Sequence, residues 1–211
     1  MSSPLLFALP KGRLFERARD LLSKAEIELD HEQETSRRLT FPDKTGRFEF
    51  VALKPVDIPV YVEAGAIDVG IVGSDILREL ESDVNEPLDL RIGRCRLVVA
   101  GPVRANGNAG YLRVATKYPR TAEHHFRLRN AHVHIVRLDG SVEIAPQLGL
   151  SDLIVDLVET GRTLQENGLT ILEEVAQVSA KLIVNRTSMK LKSTAVNELI
   201  AHLDRVVYEN P

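Results

Sequence analysis

Tryptophan is absent from the 211 residues, and aromatic side chains make up only 5%. Platforms on which bases stack are therefore scarce. Cys95 is the single cysteine. That excludes an intramolecular disulfide and a zinc site built from several thiolates, and it fits a reducing, cytoplasmic compartment. Positive charge is not in excess: 27 Lys and Arg stand against 30 Asp and Glu, for a formal net charge of −3. No nucleic-acid partner held by bulk charge is expected, although a local basic cluster can still bind a phosphate. Long apolar runs are missing too. The first, Leu5–Leu9, ends at Pro10 and follows a start without basic side chains, so it does not read as an export signal. No run approaches the roughly 20 apolar residues that cross a bilayer, so no membrane partner is expected. No Gly-x-Gly-x-x-Gly follows a strand, and neither a Gly-Lys-Ser/Thr loop nor a nucleophile elbow is present.

What the chain does contain is regular alternation of apolar strand-like runs with helical stretches, the mark of an α/β protein. Leu5–Leu9 reads as a buried strand, and Leu14, Ala18, Leu21, Leu22 and Ala25 as the apolar face of a following helix. Phe48–Ala52 is a strand, Val56–Ala64 a short helix ended by Gly65, and Asp68–Val72 another strand. Ser74 or Asp75 is expected to cap the helix that comes next. A second block holds strands at Leu97–Ala100, Val114–Thr116, Val133–Leu138 and Leu153–Val158, with a helix opening at Pro119. Pro102–Gly110 reads as a loop, and Leu182–Val184 as the last strand. Val196, Leu199, Ile200, Leu203 and Val207 make a helical stripe near the end, long enough to pack back on the first block. No internal repeat is visible.

One turn carries the clearest chemistry. The strand Leu153–Val158 runs into Glu159-Thr160-Gly161-Arg162-Thr163 and then a helical stretch. Such a turn directs free backbone N–H groups and two threonine hydroxyls at one point, where the start of a helix adds partial positive charge. That suits a monophosphate. Asp156 and Glu159 beside it suit sugar hydroxyls, which donate to carboxylates. The same residues also fit a plain helix cap and chain turn. A second cluster, Lys11-Gly12-Arg13, leaves the first strand at its carboxyl end, where ligands gather in open α/β sheets. It fits an anion site and equally a turn with solvated charges. Arg37 and Arg38 carry the same two readings, although arginine suits bidentate phosphate contact. His132 and His134 share a strand face and His124-His125 lie on the preceding helix, but no carboxylate stands beside them at metal-ligand spacing, and no metal ligands are assigned. Cys95 reads as buried and inert.

Taken together, the pattern resembles the ATP phosphoribosyltransferase family. The resemblance rests on Glu143, Gly149, Ser151, Ile154, Asp156-Leu157, Thr160-Gly161 and Thr163-Leu164, at the spacing of the family's signature. Leu9-Pro-Lys-Gly-Arg-Leu14, Asp68-Val-Gly-Ile-Val-Gly-Ser-Asp75, Ala115-Thr-Lys-Tyr-Pro119 and Leu182-Ile-Val-Asn-Arg186 follow the family's order.

The resemblance implies an α/β fold of two lobes similar to type II periplasmic binding proteins, with the active site in the inter-lobe cleft. The first lobe is expected at 1–92 plus 185–211, and the second at 93–184. Because the chain ends straight after the tail helix, the short form of the enzyme is expected, without a histidine-binding domain and insensitive to histidine by itself. A regulatory subunit resembling histidyl-tRNA synthetase is the implied partner, in a hetero-octamer. The implied substrates are ATP and 5-phosphoribosyl-1-pyrophosphate, with Mg²⁺ as cofactor. The expected roles follow. Thr160, Gly161, Arg162 and Thr163 hold the 5-phosphate, and Asp156 and Glu159 the ribose hydroxyls, with Glu143 as a further candidate. Arg13 and Arg37, with Lys11, Gly12 and Arg38, face the pyrophosphate or the ATP phosphates. Ser74, Asp75, Thr116 and Lys117 are further cleft-facing candidates. The rivals are a non-catalytic binding module of the same fold and a phosphoribosyltransferase acting on another base.

Overall fold

A computed structural model describes residues 3–29, 40–102 and 111–209. The chain divides into two compact units. The first is Met1–Gly93 with Ser179–Pro211, and the second is Arg94–Val178.

The first unit is built on a six-stranded sheet. Its strands are β1 (Leu5–Pro10), β2 (Thr40–Pro42), β3 (Phe48–Leu53), β4 (Val69–Gly73), β5 (Asn85–Asp89) and β11 (Ala180–Val184), in the order β2-β3-β1-β4-β11-β5. β3, β1 and β4 run parallel, with Phe7 beside Phe50 and beside Val69. β11 pairs antiparallel with β4 and β5. β1 is buried on both faces, which is why it reads as an unbroken apolar run. One face carries α1 (Arg13–Lys24) and the long α7 (Ser193–Glu209): Ala18, Leu22, Val196, Leu199 and Leu203 pack on Phe7, Phe50 and Leu182. The other face carries α2 (Ile58–Glu63) and α3 (Ser74–Leu80), through Ile58, Val62 and Leu77. Each fully buried Leu, Ile or Phe of this kind stabilises the fold by roughly 1.5–3 kcal/mol. The tail stripe read from the sequence does return to the first core. The chain re-enters this unit at Ser179 instead of 185, because β11 completes the first sheet between β4 and β5.

The second unit has a five-stranded sheet of β6 (Cys95–Pro102), β7 (Leu112–Thr116), β8 (Val133–Arg137), β9 (Leu153–Val158) and β10 (Leu169–Val178), in the order β10-β6-β9-β7-β8. β9, β7 and β8 are parallel, and β6 runs antiparallel to both of its neighbours, β9 and β10. α4 (Pro119–Arg127) covers one face through Tyr118, Ala122 and Phe126. The opposite face is covered by a 3₁₀ turn at Val142–Ile144 and by α5 (Arg162–Glu166), through Val142, Ala145 and Leu164. Cys95 opens β6 half-buried against the α4-side core, less enclosed than its apolar surroundings predict.

Two polar networks close the first unit. Asp68, just before β4, accepts from Leu6 N–H at 2.9 Å, Ser188 Oγ at 2.6 Å and Lys192 Nζ at 2.6 Å. Its burial raises the carboxyl's pKa, but Lys192, Ser188 and the Leu6 N–H together outweigh it and hold the group below the usual value. Asn185 caps α6 (Arg186–Leu191) by accepting from Thr187 and Ser188 N–H at 2.9 Å each, and donates to Val62 C=O at 2.8 Å at the end of α2. These four side chains fasten the returning segment to the first sheet.

Candidate functional site

Parallel strands bring their carboxyl ends to one edge of a sheet, and each unit presents such an edge. In the first unit the edge is formed by the ends of β3, β1 and β4. Lys11 leaves β1 there, its N–H donating to Leu53 C=O at 2.7 Å. Gly12 caps α1 at φ 89°, ψ −155°, a conformation closed to residues with a side chain. Arg13 is the first residue of α1, and both Lys11 and Arg13 are exposed. Neither side chain is paired with a described residue, so the edge carries two uncompensated cations. Ser74 and Asp75 follow β4 at the same edge. The expected cap is corrected: Gly73 is the N-cap of α3, and no side chain caps it. Ser74 is tied instead to Ser179, donating its N–H to Ser179 C=O at 2.9 Å and accepting Ser179 N–H on Oγ at 3.3 Å. Asp75 is buried. Arg37 and Arg38 lie outside the described residues.

In the second unit the edge is formed by the ends of β9, β7 and β8. The chain leaves β9 at Val158, passes Glu159 and Thr160, and turns at Gly161 (φ 82°, ψ −1°) into α5. That left-handed turn is why glycine stands there. The Glu159, Thr160 and Thr163 side chains are exposed. The N–H groups at the start of a helix have no acceptor inside it. One of these is turned inward here: Arg162 N–H meets Thr160 Oγ1 at 3.4 Å. The Arg162 guanidinium bends back to Glu166 Oε1 at 2.7 Å, along its own helix.

Asp156 lies two residues before the end of β9. Its Oδ1 accepts the Leu157 N–H at 2.8 Å. Burial first, and the nearby Glu143 carboxylate after it, push this carboxyl above its usual pKa, against the Leu157 N–H and the Lys117 charge. The structure thus brings together three residues that are far apart in sequence, Lys117, Glu143 and Asp156, with Glu159 following Asp156 just past the strand end.

Thr116 is a correction. It is wholly buried, and its hydroxyl donates to Val155 C=O at 2.6 Å and accepts Tyr118 N–H at 2.9 Å. Its side chain is committed to the fold and does not face a ligand.

The histidines divide. His124, His132 and His134 are exposed, and His125 is buried. Its Nε2 lies 3.0 Å from Glu173 Oε2 on β10, and Arg129 pairs with the same carboxylate. Burial, then the charges of Arg129 and His124, hold the imidazole below its usual pKa. A carboxylate only accepts, so Nε2 is the donor, an anchor of α4 to β10. Sequence spacing misses Glu173 because it comes 48 residues later. Arg113 likewise grips Asp152 with two nitrogens, at 2.8 and 3.2 Å, and Gly149 C=O at 2.7 Å. Among the described residues no group of three or more His, Cys, Asp or Glu side chains is placed to hold a metal ion. No helix among them is long and apolar enough to cross a membrane.

Comparison with known proteins bears directly on these edges. The family model HisG: ATP phosphoribosyltransferase matches residues 54–205, which include the whole second edge. The ATP phosphoribosyltransferase of Caldanaerobacter subterraneus is 49% identical over 203 residues, covering 95% of this chain and 96% of that one. Among solved structures, a chain of the ATP phosphoribosyl transferase (HisG:HisZ) complex from Thermotoga maritima superposes with a TM-score of 0.85 at 34% identity, over 98% of this chain and 100% of that one. The periplasmic aliphatic sulphonate binding protein SsuA from Escherichia coli matches at a TM-score of 0.58 and 13% identity, over 98% of this chain and 73% of that one. That last likeness concerns the fold alone, the type II periplasmic-binding-protein arrangement, and at such identity it does not favour a non-catalytic binding module. With a family match across most of its length and near-half identity to a full-length relative, the chain belongs to the ATP phosphoribosyltransferase family, which carries out the first step of histidine biosynthesis.

Proposed function

We propose that the chain is a catalytic subunit that joins N1 of the ATP adenine to C1 of 5-phosphoribosyl-1-pyrophosphate, inverting C1 and releasing pyrophosphate. The observation that carries this reading is the second sheet edge, where the Glu159–Thr163 turn, opened by the left-handed Gly161, stands beside Asp156 and Glu143. Adenine N1 has a lone pair and no proton, so its attack requires no strong general base. The demanding event is departure of pyrophosphate from a carbon that gains cationic character. Catalysis is then mainly electrostatic, through donors already in place where the charge develops.

The roles follow from position. The backbone of Thr160–Thr163 and the Thr163 hydroxyl take the 5-phosphate. Arg162 contributes through its N–H, which gives up its long 3.4 Å contact with Thr160 Oγ1 for the phosphate, because its guanidinium is turned to Glu166. Asp156 and Glu159 accept from the ribose hydroxyls, with Glu143 next to Asp156. On the first edge the exposed cations of Lys11 and Arg13, with close backbone approach allowed by Gly12, receive the departing pyrophosphate or the ATP phosphates. Arg37 and Arg38 are proposed for the same anions on the strength of the family resemblance. Ser74 and Asp75 shape the edge beside them.

Mg²⁺ fits this reading as a companion of the substrate. It favours phosphate and water oxygens, the substrate supplies several of them, and no residue of this chain is proposed as a direct ligand. When bound it neutralises charge on the leaving group. A regulatory subunit resembling histidyl-tRNA synthetase, in a hetero-octamer, is proposed as partner, supported by the HisG:HisZ complex whose chain this one matches. A cytoplasmic location is proposed with it, supported by the single cysteine.

An absorbance assay for phosphoribosyl-ATP, run with and without that partner, tests the function. Product formation that requires both substrates is expected. Binding of both substrates by the assembled complex without any product contradicts the reading.

A further inference from the structure

Thr116 and Lys117 sit next to each other in the chain and behave in opposite ways, one sealed in the core and the other exposed at the edge. β7 and β9 run parallel, with Thr116 beside Val155. One residue further along lie Lys117 on one side and Asp156 on the other, and Lys117 is the cation that acts on the Asp156 carboxyl. The facing anion is Glu143, and the residue of β6 paired with Asp156 is Val98, which is uncharged. Lys117 has already left its strand, so no ladder of hydrogen bonds holds it. The next donor in the chain, Tyr118 N–H, is captured by Thr116 Oγ1, whose own proton is fixed on Val155 C=O. A side-chain hydroxyl that accepts from the N–H two residues on bends the backbone between them, and here the residue in the bend is Lys117.

We propose that Thr116 is a positioning residue of the phosphoribosyl site: its buried hydroxyl ties the end of β7 to β9 and sets the bend that keeps Lys117 next along the strand pair from Asp156, the carboxylate offered to the ribose hydroxyls. The inference deepens the reading of the second edge and rests on it. Lys117 is then no direct substrate ligand. With the Leu157 N–H, it favours the accepting form of Asp156, against the burial and the Glu143 charge that oppose it.

Calorimetric titration of 5-phosphoribosyl-1-pyrophosphate across the acid range separates the parts. A neutral carboxyl accepts poorly, so affinity falls as the pH drops through the Asp156 titration. The substrate's own phosphate titrates alike for every variant, so differences between variants report the protein. Lys117→Met, at an exposed position, is expected to move the fall in affinity to higher pH. Thr116→Val is expected to move it in the same direction, with ATP affinity unchanged, and Thr116→Ser, which keeps the hydroxyl, to match the wild type. Thr116→Ala replaces the valine variant should that one not fold. A midpoint unmoved in Lys117→Met overturns the proposal. So does a Thr116 variant that melts earlier but titrates like the wild type. A wild-type chain that does not bind the substrate at all overturns the functional reading beneath it, which keeps the two failures distinct.

Discussion

The two sheet edges are built alike and equipped differently. Each gathers the carboxyl ends of three parallel strands, flanked by an antiparallel strand: β11 beside β4 in the first unit and β6 beside β9 in the second. The first edge offers cations on a glycine turn, with Lys11 and Arg13 unpaired among the described residues. The second offers a glycine turn with two threonines and a set of carboxylates, one of them half-buried near another. The strands bring the edges into being, and the few residues after each strand decide which part of a charged substrate suits them. A phosphate with sugar hydroxyls suits the second edge, and a diphosphate suits the first.

The comparison breaks most visibly at Arg13. Arg13→Ala should slow the chemical step by roughly 10²–10³, the usual cost of losing one preorganised donor. A single-turnover rate equal to the wild type's would show that the basic edge does not meet the reacting charge. The next largest effect concerns stability and is confined to the first unit. Asp68→Ala strips the acceptor from Leu6, Ser188 and Lys192. The loss should be about 3 kcal/mol, the low end for breaking a buried pair, because the Lys192 side chain remains 33% exposed. Denaturant titration measures it. The sign of its pH dependence follows from the lowered pKa. The contribution is complete above the ordinary carboxylate value of about 3.9 and is lost as pH falls from there through the depressed folded value. The Asp68→Ala difference should therefore shrink in acid. Asn185→Ala should cost about 1 kcal/mol as a lost helix cap, and more if the Val62 C=O finds no new donor; a thermal melt reads the difference. The smallest effect is expected at the second edge. Arg162→Ala breaks an exposed pair with Glu166, so stability should change by less than about 0.5 kcal/mol, and substrate affinity should barely move. A large loss of affinity would put the guanidinium on the 5-phosphate and revise its role.

Legibility in the sequence tracks how local each signal is. The buried β1, the tail stripe of α7, Pro119 opening α4 and Gly65 ending α2 are set by neighbours in the chain, and all appear where the residues point. β10 was not legible. Irregularities between Ile171 and Glu173 and between Glu174 and Ala176 break the alternation that marks a strand. β5 was hidden by Pro87, tolerated because β5 lies at the sheet edge. The returning strand β11 was visible as a strand but not as a member of the first sheet, since nothing local names its partners. At the candidate site, the turn at 159–163 and the cluster at 11–13 were readable from residue types and spacing. The inward use of the Thr116 hydroxyl, the Ser74–Ser179 tie and the closeness of Lys117, Glu143 and Asp156 depend on strand register, which no single stretch of sequence encodes.

The most direct test of the account is the calorimetric affinity for ribose 5-phosphate, which carries the phosphate and hydroxyls but no diphosphate, measured on Thr163→Ala and Arg13→Ala. The division of labour predicts a clear loss for Thr163→Ala and wild-type affinity for Arg13→Ala. Equal losses, or a loss for Arg13→Ala alone, would contradict it.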